Sequence, residues 1–116
     1  MSSITLPAPI PKYFDSKGGD AGSAVECFTA DAVVFDHGED LELRGADEIR
    51  TWLSRTSDQY KLTSEVRAAE ERDGRHVVTV VVTGDFPGSP YEFAYRFLLD
   101  DNRIKELAID PIGSLA

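Results

Sequence analysis

The stretch from His76 to Thr83 is almost entirely Val and Thr, and it constrains the fold most. β-branched side chains favour extended backbone, and a run this apolar must be covered on both faces, so it predicts a central strand. Turn signals bound it. Asp73-Gly74 predicts a hairpin back to a long polar strand over Lys61–Arg72. Pro87-Gly88-Ser89-Pro90 marks the next turn. Beyond it Tyr91, Phe93, Tyr95, Phe97 and Leu99 alternate with Glu92, Ala94, Arg96 and Leu98, the period-2 signature of a strand. Asp101-Asn102 turns into a last strand, Arg103–Ile112. Four strands in a row need something to bury them.

The first half supplies it. Pro9 and Pro11 can open a helix that puts Ile10, Tyr13 and Phe14 on one face and stops at Gly18-Gly19. Asp20 can cap a second helix with an apolar stripe of Ala21, Ala24, Val25 and Phe28. Period 2 then takes over at Ala32–Asp36, and His37–Asp40 turns into a short return strand, Leu41–Arg44. Gly45 precedes a third helix. Asp47 and Glu48 suit the positive end of its dipole, and Ile49, Trp52, Leu53 and Tyr60 share a face. About three helices segregated from a curved, largely antiparallel (mixed) sheet make an α+β layer design. The 116 residues fit one domain, with residues 1–8 as a loose arm.

Charge and residue usage narrow the function. Twelve basic against 21 acidic side chains leave a net charge of −9. That field repels phosphate backbones and anionic lipid, which argues against nucleic-acid and membrane partners. No apolar run approaches the ~20 residues a spanning helix needs, and Met1–Pro11 lacks the pattern of a signal peptide. The single cysteine, Cys27, excludes an internal disulfide and fits a reducing, cytoplasmic setting, with the thiol as a small buried hydrophobe. Two histidines, His37 and His76, are too few for a histidine-rich metal site.

At Cys27-Phe28-Thr29-Ala30-Asp31-Ala32-Val33-Val34-Phe35-Asp36 the chain resembles the helix-to-strand signature of the nuclear transport factor 2-like superfamily. Gly19-Asp20 before it, and Arg44-Gly45 with Glu48-Ile49-Arg50 after it, are similar in type and spacing. The nearest general likeness is to the SnoaL-like group, which takes in ketosteroid isomerase-like proteins. The resemblance implies a cone-shaped sheet closed by helices around one pocket. It implies acid–base chemistry, usually without a metal or organic cofactor. It does not name the function, because this fold hosts enzymes and binding proteins alike.

Two readings follow: a cofactor-free isomerase, cyclase or lyase acting on a small apolar carbonyl compound, or a non-catalytic binding or accessory protein for a hydrophobic metabolite. Asp36 shares a strand face with Val34 and Ala32, where a carboxylate is costly unless paired, and the resemblance puts it at the general base. Its alternative role is to organise the His37-Gly38 turn. Tyr13 falls on the isomerase tyrosine that donates to an oxyanion; otherwise it is a core tyrosine. The third isomerase element, a protonated aspartate, falls near Phe93. Phenylalanine cannot donate a hydrogen bond, so the resemblance argues against ketosteroid isomerisation itself. Asp110 matches the region of the catalytic aspartate in SnoaL-like cyclases, and also reads as a plain strand exit before Pro111. Asp36, Arg96 and Asp110 supply the residue types of an epoxide-hydrolase set, although Arg96 also suits a structural ion pair. Trp52, Phe14, Phe93, Arg96 and His37 are candidate ligand contacts. A sheet face left open by the helices predicts a homodimer.

Overall fold

The computed structural model describes residues 6–17, 24–60 and 63–116. Its elements are α1 (Pro9–Lys17), β1 (Phe28–Asp36), β2 (Leu41–Arg44), α2 (Ala46–Tyr60), β3 (Thr63–Arg72), β4 (Arg75–Thr83), β5 (Tyr91–Asp100) and β6 (Arg103–Ser114). The six strands form one sheet in the order β2-β1-β6-β5-β4-β3. β1 and β6 run parallel and every other pair is antiparallel, so the sheet is mixed. Register shifts at Val66/Ala68, Glu92/Phe93 and Leu98/Leu99 interrupt the ladders. Such bulges increase local twist, and they curve the sheet.

The turn residues do what their chemistry allows. Asp73, Asp101 and Asn102 take positive φ at the β3–β4 and β5–β6 hairpins, where Asp and Asn are the L-residues that tolerate it best. Gly74, at φ 77°, completes the first of these turns.

Period 2 decides what each strand presents. Val78, Val80 and Val82 pair with Tyr95, Phe93 and Tyr91 on one face of the sheet. Ile109 and Leu107 continue that face on β6, and Asp36 and Val34 continue it on β1. α1 and α2 lie on this side. Ile10, Tyr13, Ile49, Phe97, Ile104 and Leu107 are fully buried there. Each side chain of that size removed from water stabilises the fold by about 1.5–3 kcal/mol.

Several expectations need correction. Two helices, α1 and α2, lie wholly among the described residues. The proposed second helix begins on Asp20 and Ala21, outside the described residues. Ala24 and Val25 are helical, but Phe28 belongs to the sheet, not to that helix. Cys27 carbonyl accepts from Ile104 N–H at 2.7 Å and Phe28 pairs with Ile104, so pairing with β6 overrides helical spacing. β4 is flanked on both sides, yet it lies next to the edge strand β3 rather than at the sheet centre. β6 continues past Pro111 to Ser114. Residues 1–5 of the expected arm lie outside the described residues, and Leu6 packs against the core. No helix among the described residues is long and apolar enough to cross a membrane.

Candidate functional site

A cavity of about 460 Å³ opens between the two helices and the curved sheet face. α1 contributes Tyr13, α2 contributes Trp52 and Leu53, and β5 contributes Tyr91, Phe93 and Tyr95. Asp36 ends β1, where Gly38 and Glu39 carry the wall into the following turn. The volume suits a small organic molecule, at the lower end of the usual range for such sites.

Asp36 is the sole buried acid in the described core, only 8% exposed. Three donors hold it. Oδ1 accepts from the backbone N–H groups of Gly38, at 3.1 Å, and Glu39, at 3.3 Å. Oδ2 accepts from the indole Nε1–H of Trp52 at 3.2 Å. Turn organisation and a place on the cavity wall thus belong to the same carboxylate. A carboxylate has about four lone-pair sites, so three donors leave room for roughly one more.

Two phenols lie close by. Burial pushes the Tyr13 hydroxyl well above the ordinary tyrosine range; the charges of Tyr95 and Asp36 add to the effect. Burial raises Tyr95 too, again with a contribution from Asp36. Both phenols therefore stay protonated and can serve as hydrogen-bond donors beside the carboxylate. The Tyr13 and Tyr95 rings stand 6.4 Å apart, and Phe14 packs edge-on against both, at 5.3 and 5.1 Å. Phe14 supports the wall from behind and does not line the cavity.

The structure separates the remaining candidates. Asp36, Tyr13, Trp52 and Phe93 share the cavity. Asp110, Arg96 and His37 sit together on the opposite face of the sheet, because each is one residue out of phase with the cavity-facing set. There His37 Nδ1 lies 2.5 Å from Asp110 Oδ1. Arg96 Nε lies 2.8 Å from Asp110 Oδ2, though outside hydrogen-bond geometry. This cluster is partly exposed, and Asp36 does not converge with Arg96 and Asp110. His76 faces Glu71 across the β3–β4 hairpin, 3.7 Å away. Among the described residues, no group of three acidic, histidine or cysteine side chains is placed to hold a metal ion.

Tyr95 and Tyr91 are the main omissions from the sequence-based candidates. Both share the face of Phe93 by strand alternation, and that signal could have found them. Nothing in local sequence marks Glu39, Phe86 or Ile109, which reach the cavity through turns and a neighbouring strand.

The SnoaL-like domain profile matches residues 13–107, which include the second half of α1, the Asp36 strand and most of the sheet. A Sinorhizobium meliloti structure provisionally assigned as a polyketide cyclase is 31% identical and covers 95% of this chain and 100% of its own, with a TM-score of 0.86. A Catenulispora acidiphila protein with a ketosteroid isomerase-like fold, solved in complex with trimethylamine, is 19% identical over 96% of this chain and 88% of its own, TM-score 0.81. An NTF2-like protein from Cytophaga hutchinsonii shares the fold at 10% identity, covering 96% and 93%, with a TM-score of 0.73. No curated protein sequence matches the chain. The profile covers most of the chain, and the mixed sheet agrees with these neighbours. The chain belongs to the SnoaL-like domain family of the nuclear transport factor 2-like superfamily.

Proposed function

We propose that this protein binds a small apolar carbonyl compound in the cavity and moves a proton on it, as a cofactor-free isomerase, cyclase or lyase. The observation that carries this is Asp36, a buried carboxylate held on the cavity wall beside two phenols that burial keeps protonated. Asp36 accepts a proton from the carbon next to the carbonyl. The C–H electron pair shifts into the C–C bond, and the carbonyl oxygen becomes an enolate oxygen. Tyr13, with Tyr95, donates to that oxygen. Return of the proton from Asp36 to another carbon completes an isomerisation with nothing consumed. The Asp36→Asn variant should lower turnover of the responsive ketone by about 10²–10⁴-fold while it still binds in the cavity. Equal turnover by the two proteins eliminates the mechanism.

A second reading, a binding protein without chemistry, draws on the three donors that fix Asp36. One structural neighbour has been solved with trimethylamine, which supports the same reading. Ligands that raise the melting temperature and emerge unaltered favour binding alone.

We further propose that this domain works in the cytoplasm and pairs as a homodimer through the face opposite the cavity. Strand alternation puts Phe35, Val77, Val81, Ala94, Leu98 and Ala108 there, away from α1 and α2. Sedimentation should find a dimer, and Leu98→Glu a monomer. A monomeric parent protein at high concentration removes this part of the proposal.

A further inference from the structure

The mouth of the cavity differs from its floor. The floor is closed by buried groups, Tyr13, Leu53, Tyr95 and Ile109. The mouth carries Glu39, Phe86, Tyr91 and Phe93, all at least partly exposed. Tyr91 and Phe93 form a ring pair with centroids 5.0 Å apart. A Cβ placed on Gly38 would lie 3.4 Å from Asp36 Oδ1 and 3.7 Å from Phe93 Cε1. A carboxylate and an aromatic ring therefore border the same small space.

The charges of the wall are one-sided. Asp36 and Glu39 line it, and no Lys, Arg or His does among the described residues. Arg55 reaches Glu39 at 3.5 Å from outside the lining and offsets part of that charge. An anionic ligand gains nothing here and is repelled by a protein of net charge −9. A cation gains from the carboxylates and from the ring quadrupoles. Hydrogen-bond capacity selects among cations. Asp36 already accepts three hydrogen bonds. A primary ammonium brings three N–H groups to a carboxylate with about one free site. A methylated ammonium needs few or none and sheds its hydration at lower cost.

We infer that the cavity recognises a tertiary or quaternary ammonium group on an otherwise apolar ligand, seated beside Asp36 and the Tyr91–Phe93 ring pair. This rests on reading the cavity as the ligand site and does not depend on catalysis there. The probes are choline and its neutral isostere 3,3-dimethylbutan-1-ol, which share shape and differ by one charge. Each is titrated into ¹⁵N-labelled protein and followed by amide shifts, with 2-tetralone as an apolar ketone control. Choline should bind about tenfold or more tighter than the alcohol and shift the Gly38, Glu39 and Phe93 amides. Phe93→Leu keeps an apolar side chain but removes the ring; it should weaken choline severalfold more than it weakens the alcohol. Asp36→Asn should bring the two probes within about threefold of each other. Phe93→Leu keeps the test decisive should Asp36→Asn fail to fold. Equal or tighter binding of the alcohol, or shifts caused by 2-tetralone alone, overturns the ammonium inference and leaves the cavity reading standing. If none of the three shifts these amides, the cavity reading fails and the inference fails with it.

Discussion

Replacing Asp36 by Asn changes one oxygen into an NH₂ group, and the structure says where that hurts. In the native site Oδ1 takes two backbone donors and Oδ2 takes the Trp52 indole, 3.2 Å away. An asparagine that keeps its oxygen toward Gly38 and Glu39 must aim its NH₂ at the indole N–H. Two buried donors then face each other, and one charge-assisted bond is lost. The flipped amide is worse, because it faces two backbone donors. Leaving a buried donor unsatisfied costs about 1–3 kcal/mol, and hydrogen bonds to charged groups contribute about 1.5–3 kcal/mol. We expect Asp36→Asn to cost about 2–4 kcal/mol. Trp52→Phe removes the indole donor and should cost about 1–2 kcal/mol. The double variant should fall short of the sum by about 1–2 kcal/mol, because the donor–donor conflict no longer exists. Urea denaturation followed by circular dichroism measures all four proteins. The corresponding melting-temperature shifts are about 3–6 °C per kcal/mol for a chain of this size. A coupling below about 0.5 kcal/mol, or an Asp36→Asn protein as stable as the parent, refutes the described hydrogen bonding.

Three further outcomes follow from the same geometry. Tyr13 and Tyr95 have folded-state pKa values raised above the ordinary value of 10.0, so the unfolded chain releases their protons first. Stability from this source is complete below pH 10 and falls as pH rises above it; urea melts from pH 8 to 11 should show the fall, and Tyr13→Phe with Tyr95→Phe should flatten it. Gly38 does not occupy the left-handed region, so a side chain there meets Asp36 Oδ1 and Phe93 Cε1 at van der Waals distance, 3.4 and 3.7 Å from its Cβ, rather than backbone strain. Gly38→Val should leave the melting temperature within a few degrees and weaken 2-tetralone binding by about tenfold or more, as read by amide shifts. Asp110→Asn acts on the other face of the sheet, beside His37 and Arg96, and should leave 2-tetralone affinity within about twofold.

Much of the fold was legible because it rests on local periodicity. The Tyr91–Leu99 alternation, the Asp73-Gly74 hairpin and the Ile49–Trp52–Leu53 stripe each specify an element from neighbouring residues alone. The start of β1 was not legible, because Phe28 joins the sheet through its pairing with Ile104, far along the chain. The site divides in the same way. Asp36 stood out as a carboxylate among apolar neighbours, and it does line the cavity. Asp110, Arg96 and Phe93 lie on two neighbouring strands, but strand phase sends Phe93 to the cavity and the ion pair to the opposite face. Phase across β1, β6 and β5 is set by parallel and antiparallel register, with two bulges between β5 and β6, and residue types do not encode those bulges. The hydrogen bond from Trp52 to Asp36 joins a helix to a strand end, a tertiary contact beyond the reach of spacing.

The proposed role of Asp36 is to accept a proton from carbon in this cavity. Exchange of the α-hydrogens of 2-tetralone for deuterium, followed by NMR in D₂O, tests it without knowledge of the natural substrate. The parent protein should speed exchange above the buffer rate by at least about 10², and Asp36→Asn should return it to the buffer rate while still binding the ketone. Bound 2-tetralone that exchanges no faster than in buffer, or equally fast with Asp36→Asn, would contradict the account.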